Sequence, residues 1–193
     1  MLRVMDEGER QRYTGRVGLG LGAFLVLVAA TAHAAFPVFG PNDVKTVFFI
    51  NKSDDRNRVD YWMRLDATCS AANDEAIVPY WHEFEPPPPE RTKPLSMLAK
   101  MGYGVSSQKL VKRSPTGGDY TLRLKQVDRT ISIATKRGAD GRCVATARMT
   151  IAGASAELLS VYVKLGGPLS VDYIDVKGRE PGTGKAVVER LKR

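Results

Sequence analysis

From Gln108 to Lys177 apolar and polar residues alternate with a period of two through one run after another, and glycine or proline punctuates the gaps. A helix needs apolar residues three and four apart, so this stretch is β-structure with one face of each strand turned to a core. Residues 109–113 form a brief strand, and Pro115, Gly117 and Gly118 make residues 114–119 a turn. Tyr120, Leu122 and Leu124 then point one way while Arg123 and Lys125 point the other, and residues 130–135 follow. Residues 142–151 set Cys143, Ala145, Ala147, Met149 and Ile151 against Val144, Thr146, Arg148 and Thr150. Residues 157–165 and 170–177 complete the series around Gly166-Gly167-Pro168. Short strands at this spacing predict an all-β, antiparallel sandwich or barrel-like domain.

The preceding segment fits the same plan. Residues 45–50 are apolar, β-branched and aromatic, and residues 51–57 are a polar loop. Residues 58–65 put Val59, Tyr61, Met63 and Leu65 on one face, with Arg58, Asp60, Trp62 and Arg64 on the other. Residues 67–76 read as a loop carrying Cys69, and residues 77–84 as a third strand that stops at Pro86-Pro87-Pro88-Pro89. Four prolines cannot donate ladder hydrogen bonds and run as a stiff polyproline II connector, with a recognition ligand as the alternative. One short helix interrupts the strands: Pro94 lies near a first-turn position, Leu95, Leu98 and Met101 fall at helical spacing, and Gly102 stops it.

The N-terminus is organised differently. Arg3, Arg10, Arg12 and Arg16 precede an apolar run over residues 17–30, which leads to Ala32-His33-Ala34. That is the order of a secretory signal peptide, predicted to be cleaved after Ala34, leaving residues 35–193 as one β-rich domain. Asp6, Glu7 and Glu9 dilute the positive region, so an uncleaved anchor is the alternative, with Pro37 and Gly40 spoiling its last turns. Either reading sends the domain across the membrane to an extracytoplasmic location, periplasmic or secreted. There Cys69 and Cys143, the two cysteines of the chain, are expected to pair, with two free thiols as the alternative. A bridge closing a loop of about 75 residues stabilises by at most about 4 kcal/mol on the chain-entropy model.

One set of segments is similar to a known family. It comprises Phe48-Phe49-Ile50-Asn51-Lys52-Ser53 with Asn57 and Arg58, then Tyr80-Trp81, residues 95–105, residues 160–163 and residues 171–178. Together they resemble an uncharacterised family, a domain of unknown function found in exported proteins. The resemblance implies one compact β-rich domain, and it brings no reaction, ligand or catalytic residue with it. The Pro-rich insert at residues 86–89 departs from the pattern.

Chemistry is sparse. Gly182-Thr183-Gly184-Lys185 falls short of a phosphate loop, because Arg179 stands where the first glycine belongs and Ala186 where a hydroxyl residue belongs; it reads as a mobile surface loop. Of two histidines, His33 leaves with the signal peptide, so His82 is the one imidazole of the exported part and no metal site or cofactor is expected. Of the formal charge of +8, all but about one unit stays with the exported part, where it favours an anionic ligand or an envelope polymer, with a solvated basic surface as the alternative. Nucleic acid is not expected, because no stacking motif accompanies Arg123, Lys125 and Arg148. The candidate ligand-binding residues are Asn51, Arg58, Trp81, His82 and Tyr103, an amide, a guanidinium, stacking surfaces and an imidazole that would meet at one end of the domain. Against this stands core packing for the aromatics and a packed His82. The functional expectation is an exported binding or structural module of the cell envelope; the alternative is an exported hydrolase using His82.

Overall fold

The structure is a computed structural model that describes residues 44–53, 55–72, 75–84, 91–167 and 170–192. The N-terminal segment expected to be a signal peptide, the lead-in before residue 44 and the four prolines lie outside the described residues. The strands are β1 (Val44–Lys52), β2 (Arg58–Arg64), β3 (Ile77–Glu83), β4 (Arg91–Pro94), β5 (Val105–Ser114), β6 (Gly117–Leu124), β7 (Thr130–Arg137), β8 (Cys143–Ile151), β9 (Ala154–Gly167), β10 (Ser170–Arg179) and β11 (Ala186–Lys192). One helix, α1 (Met97–Tyr103), lies between β4 and β5. The domain is thus all-β with one short helix, as the alternation requires.

The long strand β9 joins two arms. Its first residues pair with β8, and β7, β6 and β5 follow outward; farther along the same strand, residues 160–163 pair with β1, which continues into β2, β3 and β4. Its other edge carries β10 and then β11. Every junction among the described strands is antiparallel except β1–β9, which is parallel, so the sheet is mixed and the antiparallel expectation needs that correction. The reason is topological: β1 reaches β9 only after the whole chain has gone round both arms, and no hairpin sets its direction.

The arms curl toward each other over one core. Phe48, Tyr61, Met63 and Ile77 from one arm and Leu122, Ile131, Ile133 and Ile151 from the other are buried in a single cluster with Val161 and Val176. Phe48 and Tyr61 stack at 4.4 Å between ring centroids. The sheet does not close by a backbone ladder. Instead the Gln108 side chain imitates a strand, accepting from the Ile77 N–H at 2.8 Å and donating to the Ile77 carbonyl at 3.4 Å. The Ala71 N–H donates to Tyr120 Oη at 2.7 Å, and the Cys69–Cys143 disulfide ties the same loop to the start of β8.

Several elements differ from their sequence reading. β6 begins at Gly117, not after the turn, because a Cβ there would lie 2.0 Å from the Thr135 carbonyl oxygen and only glycine allows that pairing. β4 and β11 were not legible, being edge strands with little burial. Residues 180–185 are the hydrogen-bonded turn of the β10–β11 hairpin, with the Glu180 N–H donating to the Lys185 carbonyl and the Gly184 N–H to that of Glu180. The helix starts at Met97, because Ser96 is its N-cap and accepts from the Ala99 N–H at 3.2 Å; Pro94 belongs to β4.

Candidate functional site

The helix turns its apolar stripe away from the core. Ala99 and Tyr103 pack against the core, whereas Met97, Leu98 and Met101 are 86%, 72% and 56% exposed. Helical spacing of apolar residues ordinarily marks a buried face, and leaving Leu98 in water forgoes about 2 kcal/mol. What holds α1 in this orientation is polar. Tyr61 Oη donates to the Tyr103 carbonyl at 2.6 Å, and burial raises the Tyr61 pKa so far that the phenol keeps its proton. At the helix end the Gly104 N–H donates to the Lys100 carbonyl, whose oxygen would sit 2.2 Å from a Cβ at Gly104. The Gly104 carbonyl in turn accepts from the Lys125 N–H at 3.1 Å.

Beneath α1 the arms leave an apolar cleft of about 920 Å³. Its floor is Ile50, Val161, Val163, Leu165 and Ile174, and α1 supplies Leu98, Ala99 and Met101 to the rim. Protein interiors are close-packed, so apolar space of this size is of the order of a small-molecule site, not a packing defect. Trp81 and Tyr103 form one wall with ring centroids 6.3 Å apart, both half-buried. Lys52 stands at the mouth, its Nζ 5.6 Å from the Trp81 ring centroid and 3.0 Å from Asp55. Burial raises the Tyr103 pKa and the Lys52 ammonium pulls it down. The remaining polar groups at the rim are Lys93, Ser96 and Gln126.

The other candidate residues lie on the opposite face of the sheet. Arg58 pairs across strands with Asn51 and with His82, while their neighbours Ile50, Val59 and Trp81 turn inward. The five candidates therefore do not meet: Trp81 and Tyr103 line the inner cleft, and Asn51, Arg58 and His82 stand outside. Period two decides this, since residues 81 and 82 must face opposite ways. Phe84 is also an outer residue, stacked on His82 at 4.1 Å. On that face Asp60 is buried, taking Arg58 Nε at 2.6 Å and His82 Nδ1 at 2.8 Å, and the guanidinium lies 4.6 Å and 5.0 Å from the Phe49 and Phe84 ring centroids.

The outer row continues across the β1–β9 junction. Asn51 faces Tyr162, Tyr162 faces Asp175, and Asp175 faces Arg190. Arg190 clasps Asp175 with two bonds of 2.7 Å and 2.8 Å and lies 3.8 Å from the Tyr173 ring centroid. That bidentate bond holds the Asp175 carboxyl below its usual range. Both arginines of the row are thus engaged by buried carboxylates, which leaves the outer face tied together and the inner cleft open. Among the described residues no cluster of metal-ligating side chains occurs.

Lys52, Val163 and Leu165 are not among the candidate ligand-binding residues that the sequence suggests. The signal for the helix start was present, however: Ser96 before Met97-Leu98-Ala99 is an N-cap pattern. Residues 48–190 match the family model described as Domain of unknown function (DUF4833). No curated protein and no solved structure matches the chain.

Proposed function

The chain belongs to this family of unknown function, and we propose that it is an exported binding module of the cell envelope whose ligand has an apolar body and an anionic group. The observation that carries the proposal is the cleft of about 920 Å³ under α1, walled by Trp81 and Tyr103 with Lys52 at its mouth. The apolar floor takes up the body of the ligand, and the ammonium takes the anion once Asp55 is displaced. The Cys69–Cys143 bridge and the N-terminal export pattern support an extracytoplasmic location. Among the described residues no helix is long and apolar enough to cross a membrane.

The hydrolase reading has one observation on its side, the Asp60–His82 bond of 2.8 Å, which orients an imidazole as a catalytic carboxylate would. It is the weaker reading, because Asp60 is shared with Arg58 and Phe84 covers the ring.

Trp81 provides the test. The chain has two tryptophans, so Trp62→Phe leaves Trp81 as the sole reporter. Titration of that variant with palmitate should shift Trp81 emission saturably, and Lys52→Ala should weaken binding roughly tenfold, the size of one charge-assisted contact. Filling the cleft with Val163→Phe should abolish the response. An unchanged emission, or an equal response in the filled variant, would overturn the cleft as the site. Ester hydrolysis lost in His82→Gln with the emission response intact would favour the hydrolase.

A further inference from the structure

The exposed side of α1 carries the most exposed of the large apolar side chains among the described residues, Met97 and Leu98. Met97, Leu98 and Met101 stand out on a helix of seven residues, and three lysines surround them. Lys100 is on the helix itself, Lys93 is on β4 just before the N-cap, and Lys125 is held beside the C-terminal end by its N–H bond to the Gly104 carbonyl. All three are exposed. Lys93 is paired with Glu83, whereas the other nearby carboxylates are engaged away from the helix, Asp55 by Lys52 and Asp128 by Arg123.

We infer that α1 is a docking element for an anionic lipid surface, seated with Met97, Leu98 and Met101 in the acyl boundary and Lys100 and Lys125 at the headgroups. Charge complementarity selects this occupant over a second copy of the chain, since two basic rims would repel each other. Methionine and leucine without an aromatic or arginine anchor also make a poor protein hot spot but an adequate shallow insertion. Lys100 and Lys125 add the electrostatic part of the affinity, which anionic headgroups supply and salt screens.

The cleft opens beneath the same helix. Leu98 and Met101 belong both to the exposed side and to the cleft rim, so a docked α1 presents the cleft mouth to the bilayer. A lipid-like ligand then passes between membrane and cleft without crossing water. This last step rests on the binding reading above; the docking itself does not.

Flotation of residues 35–193, the exported domain expected after cleavage and one compact unit, with vesicles tests the docking without the apolar N-terminal run. The domain should float with vesicles of phosphatidylcholine and phosphatidylglycerol, float less with phosphatidylcholine alone, and release as salt is raised. Met97→Glu with Lys100→Glu changes two exposed residues outside the cleft lining, so it should reduce the floating fraction roughly tenfold or more. The same variant should melt like the parent and keep the Trp81 response to palmitate. Val163→Phe should do the reverse, floating normally without that response, so failure of docking and failure of the cleft are told apart. Flotation unchanged in Met97→Glu with Lys100→Glu would overturn the proposal. So would a concentration-dependent dimer that this variant abolishes while the parent ignores vesicles.

Discussion

The two faces of the strands β1, β2 and β3 carry the same kinds of residue to opposite ends. On the outer face the side chains of Arg58, Asp60 and His82 are locked to one another and roofed by Phe49 and Phe84. On the inner face Trp81 and Tyr103 line open space with Lys52 at its edge. A buried ion cluster stabilises only when every member is satisfied, so the outer cluster is committed to the fold. An apolar cleft costs stability as long as it is empty, and that cost is what a ligand relieves. The contrast separates a place where polar chemistry maintains structure from one where apolar chemistry can receive something.

The largest expected effect breaks the outer side. Asp60→Ala removes the buried carboxylate between Arg58 and His82 and should lower unfolding stability by roughly 3 kcal/mol, measured by urea denaturation. Replacing the set by Arg58→Met, Asp60→Leu and His82→Phe should recover most of that loss without altering the Trp81 response to palmitate. A lost response would place the outer cluster in binding and erase the contrast.

A smaller effect sharpens the inner side. Tyr61→Phe deletes the donor to the Tyr103 carbonyl and should cost about 1 kcal/mol globally, the net worth of one hydrogen bond. Its distinctive reading is hydrogen exchange, where the amides of α1 should lose protection more than those of β6 and β7. Uniform loss would mean that this bond does not set the helix orientation.

The smallest effect is a pH dependence far from both faces. Glu189 accepts two bonds from Arg129 and one from the Ala152 N–H, which hold its pKa down at about 2 against an ordinary 4.5. A depressed folded-state pKa gives stability that is complete above the unfolded value and is lost as pH falls through the folded one. Stability should therefore decline from about pH 4.5 toward about pH 2, and Glu189→Gln should flatten that limb while costing about 1 kcal/mol or less at neutral pH. An acid limb unchanged in Glu189→Gln would assign it to other carboxylates, with Asp175 beside Arg190 next in line.

How much could be read in advance differs between the arms. In β6 and β7 one face is wet, so Tyr120, Leu122, Leu124, Ile131 and Ile133 announce the core by simple alternation. In β2 the same rule found Val59, Tyr61 and Met63 but put Asp60 on a wet face where it is buried, because an outer ion cluster leaves no apolar signature. The candidate site suffered from the same limit. Asn51, Arg58 and His82 are neighbours across strands and Trp81 and Tyr103 are neighbouring rings, but one residue of register puts the two groups on opposite faces, so the single five-residue cluster does not form.

The sequence by itself determined the strand class, the inward residues of the alternating runs, the single short helix and the two cysteines, because each follows from local periodicity or composition. The tertiary structure alone decided that β1 runs parallel beside β9, that Cys69 meets Cys143, and that the arms stop short of closing. It also decided which way α1 faces. Ser96 starts the helix, but only the distant phenol of Tyr61 and the backbone of Lys125 fix its rotation, and with it the exposure of Met97, Leu98 and Met101 above the cleft. Contacts between residues far apart in the chain have no period to betray them, so the faces they choose appear only once the chain is folded.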